Sequence, residues 1–179
     1  ITLDLEPINS LLSSLPWYII IDVIVLLCLL ALSAMISGTE IAFFSLSKTT
    51  LDVLAKSKTL KGDLVLELRS KPKKLLATIL ITNNFINILI VLLFSVLGTV
   101  FMGDIEENIR FLIEVVLITF LILLFGEVLP KVYATRNSLS FSLLMSRPIS
   151  ILNVLLSPLS YLLRKLTGLV ESRLGKKNT

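Results

Sequence analysis

The run Leu117–Lys131, LITFLILLFGEVLPK, sets a glutamate and a proline at the end of an otherwise apolar segment. A carboxylate at membrane depth is costly, so Glu127 must be neutral, face a protein or water cavity, or meet a cation. Pro130 has no N–H to give to the carbonyl four residues back, that of Gly126, and its ring pushes that carbonyl aside. A freed backbone oxygen beside a carboxylate is an arrangement a small hard cation could use. The competing account is a structural kink, with Glu127 snorkelling to the interface and Lys131 as its partner.

Two other polar clusters interrupt apolar runs. In ITNNFINI (81–88), Asn83, Asn84 and Asn87 fall within about one and a third helical turns. A single intramembrane asparagine commonly joins helices, but each amide brings two donors and an acceptor that need partners. Three together point to a water- or cation-lined site, since amide oxygens are suitable Mg²⁺ or Na⁺ ligands. In SAMISGTE (33–40), Ser33, Ser37 and Glu40 fall on one helical stripe, and Gly38 can loosen the helix and expose carbonyls. Equally, the serines could serve helix packing, with Glu40 at the interface paired to a loop lysine.

These clusters need long apolar elements to carry them. The 179 residues are 55% hydrophobic, with a mean hydropathy of +0.92, and the class this indicates is an all-α membrane protein. Three stretches reach the roughly 20 residues a bilayer crossing takes: about Trp17–Ile36, Leu75–Met102 and Ile109–Leu129. Residues 49–74 alternate leucines with lysines at helical spacing, which suits amphipathic helices on the membrane surface. Arg147, Pro148 and Pro158 interrupt the apolar stretch after residue 138, so it reads as juxtamembrane rather than a fourth span. The expected organisation is an outer segment over 1–16, a transmembrane domain over 17–137 that includes the 46–74 loop, and juxtamembrane helices over 138–179. Ile1 at the start and a polar Gly-Lys-Lys-Asn end suggest a piece of a longer chain.

Charge sets the expected orientation. Of the 17 basic residues, Arg110 alone lies in a segment assigned to the outer side; the others follow the first or third span. By the positive-inside rule the N-terminus is outside and the C-terminus inside a plasma or inner membrane. The net charge of +4 then belongs to topology and lipid contact. No aromatic residues interleave with the basic ones, so nucleic acid is not an expected partner. There is no histidine, a single cysteine (Cys28) and no phosphate-binding loop, and no base–nucleophile pair marks an enzyme. Asp22 and Glu114 fall near the outer span ends, where interface solvation accounts for them, the alternative being that they help draw cations toward the pore. With the first span running inward, the second outward and the third inward, all three polar clusters come to a similar depth in the inner half of the membrane.

At this point the sequence resembles the transmembrane domain of the CorB/CorC/cyclin-M (CNNM) magnesium transporters. SGTEIAFFSLSK (37–48) is similar to that family's S-x-x-E-[TI]-A motif, TNNFINI (82–88) to G-N-N-x-x-N, with Thr82 where glycine is common, and FGEVLPK (125–131) to G-E-x-x-P-K. The resemblance implies a homodimer in the lipid bilayer, three spans and a juxtamembrane belt per subunit. It also implies cytosolic CBS-pair domains beyond Thr179, where ATP and Mg²⁺ would regulate transport. The transported ion it implies is Mg²⁺, moved out of the cytosol with Na⁺ as the coupled ion. Carried onto this chain, the ion would meet Ser37, Ser45, Asn83, Asn87, the Gly126 backbone and Glu127. The alternative from another class is a non-transporting Mg²⁺-binding sensor or scaffold that regulates a separate transporter.

Overall fold

Trp17–Phe44 forms one unbroken helix, α1, of 28 residues. The computed structural model of the chain describes residues 16–158; apart from Pro16, the expected outer segment lies outside the described residues, as do residues 159–179. The span expected to end at Ile36 continues for two more turns. Breaking the ladder at Gly38 in apolar surroundings would strand backbone N–H and C=O groups, and that outweighs glycine's helix penalty of about 1 kcal/mol. Gly38 therefore does not loosen the helix. It is a point of close approach: a Cβ there would lie 2.8 Å from the Phe141 ring and 3.3 Å from the Pro130 carbonyl oxygen. Thr39 is held within α1 by donating its hydroxyl to the Met35 carbonyl at 2.6 Å.

The amphipathic loop is two short helices, α2 (Lys48–Ser57) and α3 (Leu60–Ser70). Each starts on a side-chain cap, which satisfies an N–H that the first turn leaves unpaired. Ser47 Oγ accepts from the Thr50 N–H at 3.1 Å, and Thr59 Oγ1 from the Gly62 N–H at 3.2 Å. Lys58 turns the chain between them in the left-handed region (φ 47°), the one non-glycine residue with positive φ among the described residues. Leu54, Val65 and Leu68 are buried, and Arg69 stacks over the Phe44 ring at 4.8 Å from its centroid.

Pro72 occupies the first position of α4 (Pro72–Phe101), where its missing N–H costs nothing. Thr82, at the position where the similar motif has glycine, is buried and donates its hydroxyl back to the Thr78 carbonyl at 2.8 Å. A short turn leads to α5 (Glu107–Leu121). This helix passes without a break into a π-helical segment, Ile122–Val128, and then into α6 (Leu129–Arg136). The last described helix, α7 (Ser138–Leu155), has Pro148 in its interior.

The described residues are all-helical, and four helices are long and apolar enough to cross a membrane: Trp17–Phe44, Pro72–Phe101, Glu107–Arg136 and Ser138–Leu155. α1 is the central element, packed on α4, the π segment, α6 and α7. Its buried inner stretch is rich in small residues (Ser33, Ser37, Gly38, Thr39, Ala42), which let helices approach closely where lipid supplies no hydrophobic drive. Elsewhere the long helices expose Ile24, Leu27, Phe85, Leu92, Phe111, Leu112 and Phe120, the surface expected of helices solvated by lipid.

The placement of α7 follows from both its ends. It begins one residue after α6 stops, and Phe141 packs edge-on against Tyr133 of α6 (centroids 6.2 Å apart) and against Gly38 of α1. Near its other end, Asn153 Oδ1 accepts from the Thr78 hydroxyl at 3.1 Å, close to the start of α4. Both ends of α7 thus meet the same end of the bundle, and α3 packs on it from that side.

Candidate functional site

The π segment follows from Pro130. In α-helical register the proline ring would collide with the Gly126 carbonyl. Instead the Leu129 N–H donates to the carbonyl of Leu124, five residues back, so one extra residue is accommodated before the proline. Such π turns are rare and often sit at functional sites. Gly126 is buried where the turn widens, and a Cβ on it would lie 3.0 Å from Ser33 Oγ of α1.

Ser33 is the hub of a small oxygen cluster. Its hydroxyl lies 2.7 Å from Asn87 Oδ1 and 3.2 Å from Asn83 Oδ1, and is itself fully buried. One hydroxyl proton serves one acceptor at a time, so two amide oxygens converge on a point that can satisfy only one of them. A turn further along α1, Ser37 Oγ is buried with no hydrogen-bond partner. An orphaned hydroxyl in an apolar bundle costs about 1–3 kcal/mol unless water or an ion completes it.

Ser37 opens onto a cavity of about 220 Å³ lined also by Glu40, Asn83, Asn84, Glu127 and Lys131, with Leu76, Ile79 and Leu80 as its apolar wall. Three helical elements thus bring Ser37, Asn83 and Glu127 together. Asn87 joins them through Ser33 and faces a neighbouring groove that it shares with Asn84. Ser45 is not brought in: it is exposed at the end of α1, about 12 Å along the axis from Ser37, with its N–H on the Ile41 carbonyl.

The charges are distributed unevenly. Lys131 Nζ lies 3.7 Å from Glu40 Oε2, whereas Glu127 makes no ion pair among the described residues. The Glu127–Lys131 pair of the kink account is therefore not formed. Two carboxylates and one ammonium leave the cavity one negative charge in excess. Among the described residues there is no cluster of three or more His, Cys, Asp or Glu side chains. An ion here would be held by a carboxylate with hydroxyl, amide and water oxygens, a donor set for hard cations rather than zinc.

Ser33 lies on the expected stripe yet outside the expected ion set, and its i, i+4 spacing to Ser37 is the signal that ties it to the cluster. Glu114, expected at a solvated interface, is a correction. The structure buries it at 6% exposure against Gly98 of α4, where any Cβ would overlap the carboxyl group, with Arg110 Nε at 3.5 Å from Oε1.

Fold and site together define a multi-pass membrane domain with a polar, negatively charged cavity inside its helical bundle. The chain belongs to the CNNM family: the family model for the cyclin M transmembrane N-terminal domain matches residues 23–179. It is similar to the UPF0053 inner membrane protein YfjD of Escherichia coli (strain K12), 32% identical over 146 residues, covering 82% of this chain and 33% of that protein. A UPF0053 protein of Haemophilus influenzae is 32% identical over 154 residues, 86% of this chain and 36% of that one. The metal transporter cnnm-4 of Caenorhabditis elegans is 31% identical over 160 residues, 87% and 32% of the two chains. The chain spans about a third of the length of these curated relatives.

Proposed function

We propose that this domain carries Mg²⁺ out of the cytosol, coupled to Na⁺ entry, through the cavity between α1, α4 and the π segment. The observation that carries the reading is the pairing, in one cavity, of an uncompensated Glu127 carboxylate with a buried, unpartnered Ser37 hydroxyl. Mg²⁺ gives up water reluctantly, so protein oxygens must come with a charge that offsets the cost, and Glu127 supplies it. Asn83, Asn87, Ser37 and Gly126 provide the neutral oxygens; Ser45, exposed as it is, would enter only if the end of α1 moved. The relative in Caenorhabditis elegans named as a metal transporter supports the same class of function.

The test is flux from purified proteoliposomes. The protein should run as a C₂ homodimer in mild detergent, because exposed intramembrane amides such as Asn84 need a neighbour. It should release Mg²⁺ down an opposing Na⁺ gradient, and the full-length protein should respond to ATP through the CBS-pair domains. Tight Mg²⁺ binding without flux would favour the sensor or scaffold reading. Flux into the Na⁺-rich side with no dependence on Na⁺ would remove the coupling.

The membrane topology belongs to the same proposal: three spans, N-terminus outside, C-terminus inside, with α7 lying across the inner helix ends. The return of α7 to Thr78 supports it, since a crossing helix would end on the far side of the bilayer. In a Cys28→Ala background, a cysteine at Asn108 should react with an impermeant thiol reagent added outside, and one at Lys58 should not. Labelling at Lys58 in intact cells would sink the three-span arrangement.

A further inference from the structure

Glu127 and Lys131 stand four residues apart, the spacing at which a glutamate followed by a lysine forms a favoured pair on an α-helix. Both line the same cavity, yet Lys131 is drawn across to α1, where its ammonium lies 3.7 Å from Glu40. The π segment ends at Val128, between the two residues, and the ammonium on the α-helical side of that junction is the one that turns to α1. Two carboxylates on different helices thus face one tethered ammonium, and the structure pairs it with the one nearer the end of α1.

We propose that Glu40 is a positioning residue that holds Lys131 off Glu127 and so keeps the Glu127 carboxylate open to a divalent cation. Lys131 is then a built-in competitor for the ion site. With Glu40 charged, the ammonium is occupied and the cavity's excess negative charge resides on Glu127. With Glu40 neutral, Glu127 is the carboxylate left in the cavity for Lys131, and the ammonium takes the place of the ion. The inference rests on the reading that Glu127 holds the cation, and assigns Glu40 no direct contact with it.

Mg²⁺-dependent thermal stabilisation of the purified protein, titrated with MgCl₂, separates the possibilities. Glu40→Gln should raise the half-stabilising Mg²⁺ concentration about tenfold or more, the loss expected when a charge-assisted contact is blocked. Lys131→Met should bind at least as tightly as the parent. The double variant Glu40→Gln/Lys131→Met should return to within about twofold of the parent, a recovery that a ligand or a merely structural Glu40 would not give. If Glu40→Gln does not fold, the double variant, which carries no uncompensated charge at this pair, decides alone: a weakening of about tenfold there overturns the proposal. A silent Glu40→Gln alongside a weakened Glu127→Gln overturns it while leaving the cation site in place. A silent Glu127→Gln removes the site and this proposal together.

Discussion

Glu127→Gln is expected to weaken Mg²⁺ binding by about tenfold or more while leaving the fold intact. The amide keeps the shape of the side chain and one acceptor oxygen, and removes only the charge. Among the described residues Glu127 makes no ion pair, so no structural partner is lost with it. A neutral amide is also less costly than a carboxylate beside hydrocarbon, so stability without Mg²⁺ should hold or rise. A charge-assisted contact contributes about 1.5–3 kcal/mol, and that is what the ion forfeits. Binding to the native state alone raises the melting temperature with ligand concentration, so the shift with added Mg²⁺ measures the loss. A variant stabilised at the same Mg²⁺ concentrations as the parent would remove Glu127 from the site.

Arg110→Met should be the most damaging single change at the opposite end of the bundle. Glu114 lies buried in the α4–α5 hairpin, seated where Gly98 has no side chain, and its Oε1 has no hydrogen-bond partner. Arg110, 3.5 Å away and mostly buried itself, is the countercharge. Removing one member of a buried ion pair typically costs about 3–5 kcal/mol, because the other charge is left uncompensated. The Arg110 side chain keeps some exposure (21%), which places the expected loss near the lower figure. Adding Glu114→Gln should restore most of it by neutralising the stranded carboxylate. Thermal unfolding in detergent of the parent, the single and the double variant reads this directly. Equal melting of Arg110→Met and parent would mean that the carboxylate finds its compensation elsewhere.

What could be read before any coordinates depended on how local each cause is. Long apolar runs force helices because lipid offers the backbone no other partner, so the three longest helices were legible. The leucine–lysine alternation after Lys48 marked α2 and α3 for the same kind of reason. The carboxylate and amides stood out as candidates because burial of such groups is costly whatever surrounds them, and the structure brings Ser37, Asn83 and Glu127 to one cavity. The misread features depend on neighbours distant in sequence. Gly38 looked like a weak point until Phe141 and Pro130 arrived beside it. Glu114 looked solvated because nothing local says that Gly98 lies across from it. Pro130 was legible as a disruption, but its position alone does not say whether the helix kinks or inserts a residue, and the structure shows the inserted residue. Ser33 lies on the α1 stripe that meets the amides, whereas Ser45, about a third of a turn around from it, caps the exposed end of α1.

One consequence follows from the way α7 is fastened. Phe141 wedges against α1 and α6 at one end, and Asn153 grips Thr78 of α4 at the other. α7 therefore acts as a crossbeam bolted to the same helices that wall the cavity. A tilt of α1, α4 or α6 has either to be shared with α7 or to break one of these contacts. Width at the oxygen cluster is thus geared to the angle of a helix that supplies none of its oxygens.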